Sequence, residues 1–258
     1  MIPRRLQARS KCDKITLSEA IDSMAEANIK HKDRLFRFIF GNEENRAWTL
    51  SLYNAVNGSH YDDPSQIQIT TIGDVIYMGM KNDVSFMIAD TVNIYEQQST
   101  FNPNIPTWSM ICAGMAYSNY VKTHRVNVYS SRQQTLPVPK LVCFYNGTRE
   151  QPDRRVLSLR DAFDRPEESD IEVRVTMLNI NHGHNEALMN ACQPLKEYAQ
   201  FIYLVREYQG DGDDLERALD KAIDAMPEGA GIKPFLLAHK ADAHFTWRGL
   251  SELSEMAC

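Results

Sequence analysis

The sequence predicts an α/β or α+β core, and three observations carry that expectation. Helical and strand-like textures follow one another in the order helix, strands, helix, strand, strand, helices. The length of 258 residues suits one large domain or a core with an appendage, since domains usually run about 100–200 residues. Apolar residues make up 43% and charged residues 24%, an ordinary globular composition rather than that of a disordered or collagen-like chain.

The elements can be justified in order. Thr16 followed by Glu19 is a capping-box pattern that opens a short helix over residues 16–29. Residues 32–40 and 43–57 form a second helical region, with Leu35, Phe36, Ile39 and Phe40 on one side and Trp48, Leu52, Tyr53 and Val56 on one side. Gly41-Asn42 interrupts that region and Asn57-Gly58 closes it. Beyond the turn signal Asp62-Asp63-Pro64, residues 67–98 are rich in β-branched and aromatic side chains and predict three or four strands. Residues 105–122 predict a helix, 139–146 and 171–180 strands, 186–206 and 213–226 helices, and 230–258 a helical tail. The expected division is a core over residues 1–182 and an acidic helical extension over 183–258.

Composition also excludes. No apolar run approaches the roughly 20 residues needed to span a bilayer, and the basic N-terminus has no apolar stretch behind it to make a secretory signal. Five scattered cysteines, with no ligand-type spacing, fit a reducing cytoplasm better than a disulfide framework. There is no GxSxG and no Walker-type sequence. The net charge of −6 speaks against a nucleic-acid partner, but it is uneven. Residues 1–150 hold 16 Lys and Arg against 14 Asp and Glu, whereas residues 151–258 hold 12 against 20.

The most informative stretch runs from Asp83 to Gln98. Residues 84–88 and 92–95 are two strand runs joined at Ala89-Asp90. If those two residues are the loop, Ile88 pairs with Thr91, paired numbers sum to 179, and Asp83 falls opposite Glu96 on a face shared with Ser85, Met87, Val92, Ile94 and Gln98. Two carboxylates that close call for a cation, and oxygen ligands with open water positions suit Mg²⁺. The spacing is equally met by two solvated carboxylates at strand ends, and a one-residue slip would send them to opposite faces. Ala-Asp is not a favoured hairpin pair.

The runs Asn82-Asp83-Val84-Ser85-Phe86, Tyr95-Glu96-Gln97-Gln98-Ser99-Thr100 and Asn102-Pro103-Asn104-Ile105-Pro106 resemble the nuclease core of the Rpn family. These are the recombination-promoting nucleases, also described as PD-(D/E)XK nuclease family transposases. The resemblance extends to Asp33-Arg34-Leu35-Phe36, Phe40-Gly41, Leu50-Ser51-Leu52-Tyr53-Asn54-Ala55, Pro139-Lys140 and Phe144-Tyr145-Asn146-Gly147, and covers roughly residues 30–150. It implies a restriction-endonuclease-like fold, a mixed central sheet flanked by helices with a helical C-terminal extension. It implies hydrolysis of DNA phosphodiester bonds with Mg²⁺, or Mn²⁺ in its place, in a bacterial protein linked to recombination or mobile elements. Asp83 and Glu96 would be metal ligands, the Gln97 carbonyl would complete the shell, and Gln98 would orient the attacking water.

Glu44, ahead of Glu43, is the candidate for an assisting acid, and both also read as helix N-terminal acids. Lys140 is the candidate for a phosphate contact and also reads as a solvated strand-end lysine. Where relatives carry an Arg at the start of the next helix, this chain has Thr107-Trp108-Ser109-Met110. A catalytically weak or inactive nuclease fold acting by DNA or protein binding is therefore the alternative expectation, and RNA an alternative substrate. Double-strand cleavage by a single-site nuclease would favour a homodimer. His182-Gly183-His184 reads as a loop after a strand rather than a metal clip.

Overall fold

Runs of buried residues covered on both faces build the centre of the sheet, and the computed structural model describes the protein through residues 35–70 and 84–239. The expected helix at 16–29, part of the strand region and most of the tail beyond 238 lie outside the described residues. Residues 35–40 are helical (α1), and Leu35, Phe36, Ile39 and Phe40 are all buried. Gly41-Asn42 breaks the helix, and Asn42 accepts a hydrogen bond at Oδ1 from the Glu44 N–H in a short 3₁₀ turn, Glu43–Asn45. The next helix, α2 (Arg46–Asn57), buries Leu50, Leu52 and Tyr53 and ends at Gly58 in the left-handed region, φ 63°. A residue without Cβ is favoured there.

Six strands form one mixed sheet. They are β1 (Gln68–Ile69), β2 (Val84–Ile88), β3 (Thr91–Gln98), β4 (Val138–Tyr145), β5 (Arg154–Ser158) and β6 (Arg174–Asn179), in spatial order β1-β2-β3-β4-β6-β5. The first three pair antiparallel, β3–β4 and β4–β6 pair parallel, and β5 returns antiparallel on β6. Residues 92–97 of β3 are buried throughout, as expected of a central strand covered on both faces. The parallel β3–β4 step needs a crossover, and α3 (Ile105–Thr123) supplies it. The order after β6 is α4 (Glu186–Ala191), α5 (Gln193–Gly210), α6 (Leu215–Ala225) and α7 (Lys233–Ala238). The single helix expected at 186–206 is split at Cys192, whose backbone is extended, and Pro194 falls in the first turn of α5, where a missing N–H costs no intrahelical bond. The edge strand β5 was not foreseen.

Side-chain alternation sorts the core into two layers. On one face, Val84, Phe86, Ile88, Tyr95, Val142, Phe144 and Leu178 meet α1, α2 and α4–α7. The Phe36 ring lies 5.2 Å from Phe144 and 5.6 Å from Tyr198 of α5. On the other face, Cys143, Tyr145, Leu157, Val175 and Met177 meet Ile105 of α3. The expected division at residue 182 does not mark a break in packing. Leu195, Tyr198, Phe201 and Ile202 of α5 and Leu219 and Ile223 of α6 share one cluster with Phe36, Tyr95 and Phe144, so these helices complete the core instead of extending from it. No helix among the described residues is long and apolar enough to cross a membrane.

Gly147, just after β4, is fixed by close approach. A Cβ there would meet the Tyr145 hydroxyl at 2.5 Å and the Ser99 carbonyl oxygen at 2.6 Å, whereas one at Gly114 in α3 meets nothing within 4 Å. Gly147→Ala should therefore lower the unfolding free energy by about 1–3 kcal/mol, and Gly114→Ala should raise it by up to about 1 kcal/mol. Urea unfolding of the two variants checks both signs.

Candidate active site

The β2–β3 hairpin has the register that its sequence spacing demands. Val84 pairs with Tyr95, Ser85 with Ile94, Phe86 with Asn93, Met87 with Val92 and Ile88 with Thr91. Ala89 takes φ 50° in the two-residue connection, a positive value of the kind tight hairpin turns require. Asp83 lies outside the described residues.

Glu96 is buried, 4% exposed, in β3. Its neighbour Tyr95 belongs to the α1/α2/α5 layer, so alternation turns Glu96 toward the α3 layer. Gln98, two residues on, shares that face, pairs with Tyr145 and is half-buried. Because α3 starts at Ile105, only a short loop after β3, its N-terminus lies at the same end of the sheet as Glu96 and Gln98. A carboxylate is favoured near that end of a helix.

Gln97 faces both ways. Its side chain is buried in the opposite layer, where Nε2 donates to Asn146 Oδ1 at 2.6 Å. Its main chain is aimed by the ladder. The Asn146 N–H donates to the Gln98 carbonyl (3.0 Å) and the Val138 N–H to the Asp90 carbonyl (2.8 Å). Even-numbered residues of β3 therefore turn their main-chain groups toward β4, and odd-numbered residues, Gln97 included, toward β2. Glu96 and Gln98 thus share one face at the end of β3, with the Gln97 carbonyl turned toward β2 between them. Among the described residues no group of three His, Cys, Asp or Glu side chains is placed to hold a metal.

Two other expected residues are not brought to this set. Lys140 pairs with Asn93 and is exposed. It lies three residues before Cys143, the partner of Glu96, about 10 Å along the strand, and the odd offset turns it to the opposite face. Glu44 is exposed in the turn before α2, whose buried residues Leu50, Leu52 and Tyr53 belong to the layer across the sheet from Glu96. Beside it, Glu43 forms an ion pair with Arg46.

Sequence reasoning missed a polar network at the carboxyl ends of the parallel strands. Asn146 Nδ2 donates to the Tyr198 hydroxyl at 3.2 Å. Arg206 of α5 donates to the Asn146 carbonyl and to Asn181 Oδ1, the latter at 3.1 Å. Asn181 Nδ2 in turn donates to the Gly147 carbonyl at 3.0 Å and Asn179 Nδ2 to the Gln151 carbonyl at 2.8 Å. Burial lowers the Arg206 guanidinium from its ordinary value, against the opposing pull of Tyr198 and Tyr145. Nearby, His184 Nδ1 lies 2.6 Å from Asp153 Oδ1 and His182 stacks on Tyr203 at 4.7 Å, so the two histidines diverge into separate contacts. The run Asn146-Gly147 signalled a turn, but nothing local in the sequence signals Arg206.

Comparison of the chain with models of known families, with curated proteins and with solved structures found no match. The fold itself defines a mixed α/β protein with a six-stranded sheet flanked by helices.

Arg206→Met removes the donor to two acceptors and should cost about 1–3 kcal/mol in urea unfolding. The Asp153 carboxyl is held below its ordinary value of 3.8, first by the His184 hydrogen bond and then by the Asn185 N–H. A lowered carboxyl pKa contributes stability that is present above the unfolded value and lost as pH falls through the folded one. Asp153→Asn should therefore flatten the decline of the urea midpoint below about pH 4, with no change in the slope of the alkaline side.

Proposed function

We propose that the chain is a metal-dependent deoxyribonuclease with a restriction-endonuclease-like core, hydrolysing phosphodiester bonds with Mg²⁺ or Mn²⁺ and acting in recombination or on mobile elements. The observation that carries this reading is the hairpin register. Five successive pairs sum to 179, the register from which the sequence arithmetic expects Asp83 opposite Glu96. The resemblance to the Rpn family supplies the class of reaction. The oxygen donors expected of Glu96 and the Gln97 carbonyl are of the kind a hard divalent cation takes, which supports the choice of metal.

In this reading Glu96 and Asp83 would be the carboxylates that hold a cation, which would offset their mutual repulsion. The Gln97 carbonyl, turned toward β2, adds an uncharged oxygen. Gln98 orients the attacking water through its amide, which can donate and accept at once. A bound Mg²⁺ would polarise a phosphoryl oxygen and lower the pKa of a coordinated water. Gln98 carries no charge, so the cation bears more of the transition-state stabilisation than in enzymes with a lysine at that point.

A second reading is a nuclease fold that binds DNA or protein without efficient cleavage. It is favoured by the first turn of α3, Thr107-Trp108-Ser109-Met110, which offers no guanidinium to a phosphate. Nicking of supercoiled plasmid separates the two. Under the first reading, Glu96→Ala should reduce Mg²⁺-dependent nicking by more than about 100-fold, beyond what outer-shell partners of a metal usually command. Gln98→Ala should reduce it less, and Lys140→Ala should leave it unchanged. Absence of nicking by the wild type, or equal nicking by Glu96→Ala, overturns it.

A further inference from the structure

We propose that Arg149 and Arg155, gathered on the ring of Phe101, form a binding site for the phosphodiester backbone of nucleic acid on the sheet face that carries Glu96. The choice of nucleic acid as the polyanion rests on the nuclease reading; the site itself rests on geometry.

The two guanidinium carbons lie 5.4 Å and 5.1 Å from the centroid of one ring. Cations do settle over aromatic faces, but two of them on one ring repel each other. Neither arginine forms an ion pair among the described residues. An anion bridging them would relieve that repulsion, and the planar guanidinium fork matches phosphate oxygens.

The cluster is held in place by its surroundings. Tyr145 donates its hydroxyl proton to the Arg149 carbonyl at 2.7 Å. The Arg155 guanidinium is 3.4 Å from Gln151 Oε1, and Gln151 is buried. Phe101 packs against the Ile105, Tyr145 and Met177 cluster.

Its position relative to the candidate active site follows from the ladder. Glu96 pairs with Cys143, Cys143 with Met177 and Met177 with Arg155. All four residues therefore lie on one rung and one face. Three strand spacings separate Glu96 from Arg155, about 14 Å. That is about four nucleotides of a strand rising 3.4 Å per base.

Basic residues predominate in the segment that leads to the cluster, while of the two acids beside the arginines, Glu150 and Asp153, the second is engaged by His184 and Asn185. Residues 97–149 contain no Asp or Glu and carry Lys122, Arg125, Arg132, Lys140 and Arg149. The acids Asp161 to Glu172 follow the far end of β5, since β5 begins at Arg154 opposite Leu178 and ends at Ser158 opposite Arg174. Two guanidiniums beside the β3–α3 loop thus take up the role that the first turn of α3 leaves unfilled.

The test is fluorescence anisotropy of a short labelled DNA duplex with the full chain in EDTA, across a KCl series. The wild type should bind with a salt-dependent affinity. The Arg149→Ala/Arg155→Ala double variant should bind at least about 10-fold more weakly and lose about 1.8 from the slope of log K against log salt, two phosphate contacts at about 0.9 each. The Arg149→Lys/Arg155→Lys variant should restore the slope, which a misfolded variant would not, and Lys196→Ala should match the wild type. Wild-type affinity and slope in the double alanine variant, or no salt-dependent binding by the wild type, overturns the site. Because EDTA suppresses cleavage, binding that depends on the arginines without any Mg²⁺-dependent nicking would uphold this site and end the nuclease reading. Nicking that depends on Glu96, with binding indifferent to the arginines, would do the reverse.

Discussion

The two-residue link between β2 and β3 is the constraint on which the rest depends. Ala89, at φ 50°, accepts an unfavourable backbone for a residue with a Cβ. In return, Ile88 and Thr91 are locked as the first pair. Side-chain direction alternates with every residue, so this one turn decides which face each residue of β3 presents. Tyr95 goes to the aromatic layer with Phe86 and Phe144, 5.2 Å and 5.4 Å away. Glu96 goes to the α3 layer. A slip of one residue would exchange them, driving a carboxylate into the aromatic cluster at a cost of several kcal/mol. Register and burial therefore enforce each other.

Much of this hairpin was legible in the sequence, because its turn is local and its pairing follows by arithmetic. The same holds for α1 and α2, whose apolar stripes and the Gly58 stop are read within a dozen residues. What was not legible depends on distant partners. Whether Lys140 could approach Glu96 depends on the β3–β4 register, which pairs it with Asn93, 47 positions earlier. Arg206 meets Asn146 from 60 residues away. An amphipathic pattern identified α5 and α6 as helices, but a pattern names a buried face without naming the surface that buries it. The strand β5 escaped because only Leu157 is fully buried and Arg154, Arg155 and Val156 are exposed, so its backbone pairing with β6 leaves almost no trace in residue choice.

The net charge of −6 is an average over two unlike stretches of sequence. The crossover from β3 through α3 to β4 is free of carboxylates over residues 97–149, while residues 151–258 hold 20 Asp and Glu. Self-repulsion in the acidic part is partly contained by local pairs such as Lys221 with Asp213, 2.6 Å apart, and Lys233 with Glu228, 2.9 Å apart. The exposed Lys221 pair is worth little on its own, whereas Lys233 is buried and also donates to the Asp224 and Met226 carbonyls.

The open edge at β5 has a consequence for how copies of the chain meet. An outermost strand offers unpaired N–H and carbonyl groups to any other strand that comes alongside, and charged side chains are a common deterrent to such growth. At the opposite edge β1 is only two residues long, too short a template for a stable addition. At β5 the consecutive Arg154 and Arg155 send positive charge to both faces of the strand. A second copy adding antiparallel would bring two more arginines against the first pair. Among the described residues the sheet is thus bordered by charge at β5 and by brevity at β1, which disfavours lateral addition of a second copy at either border.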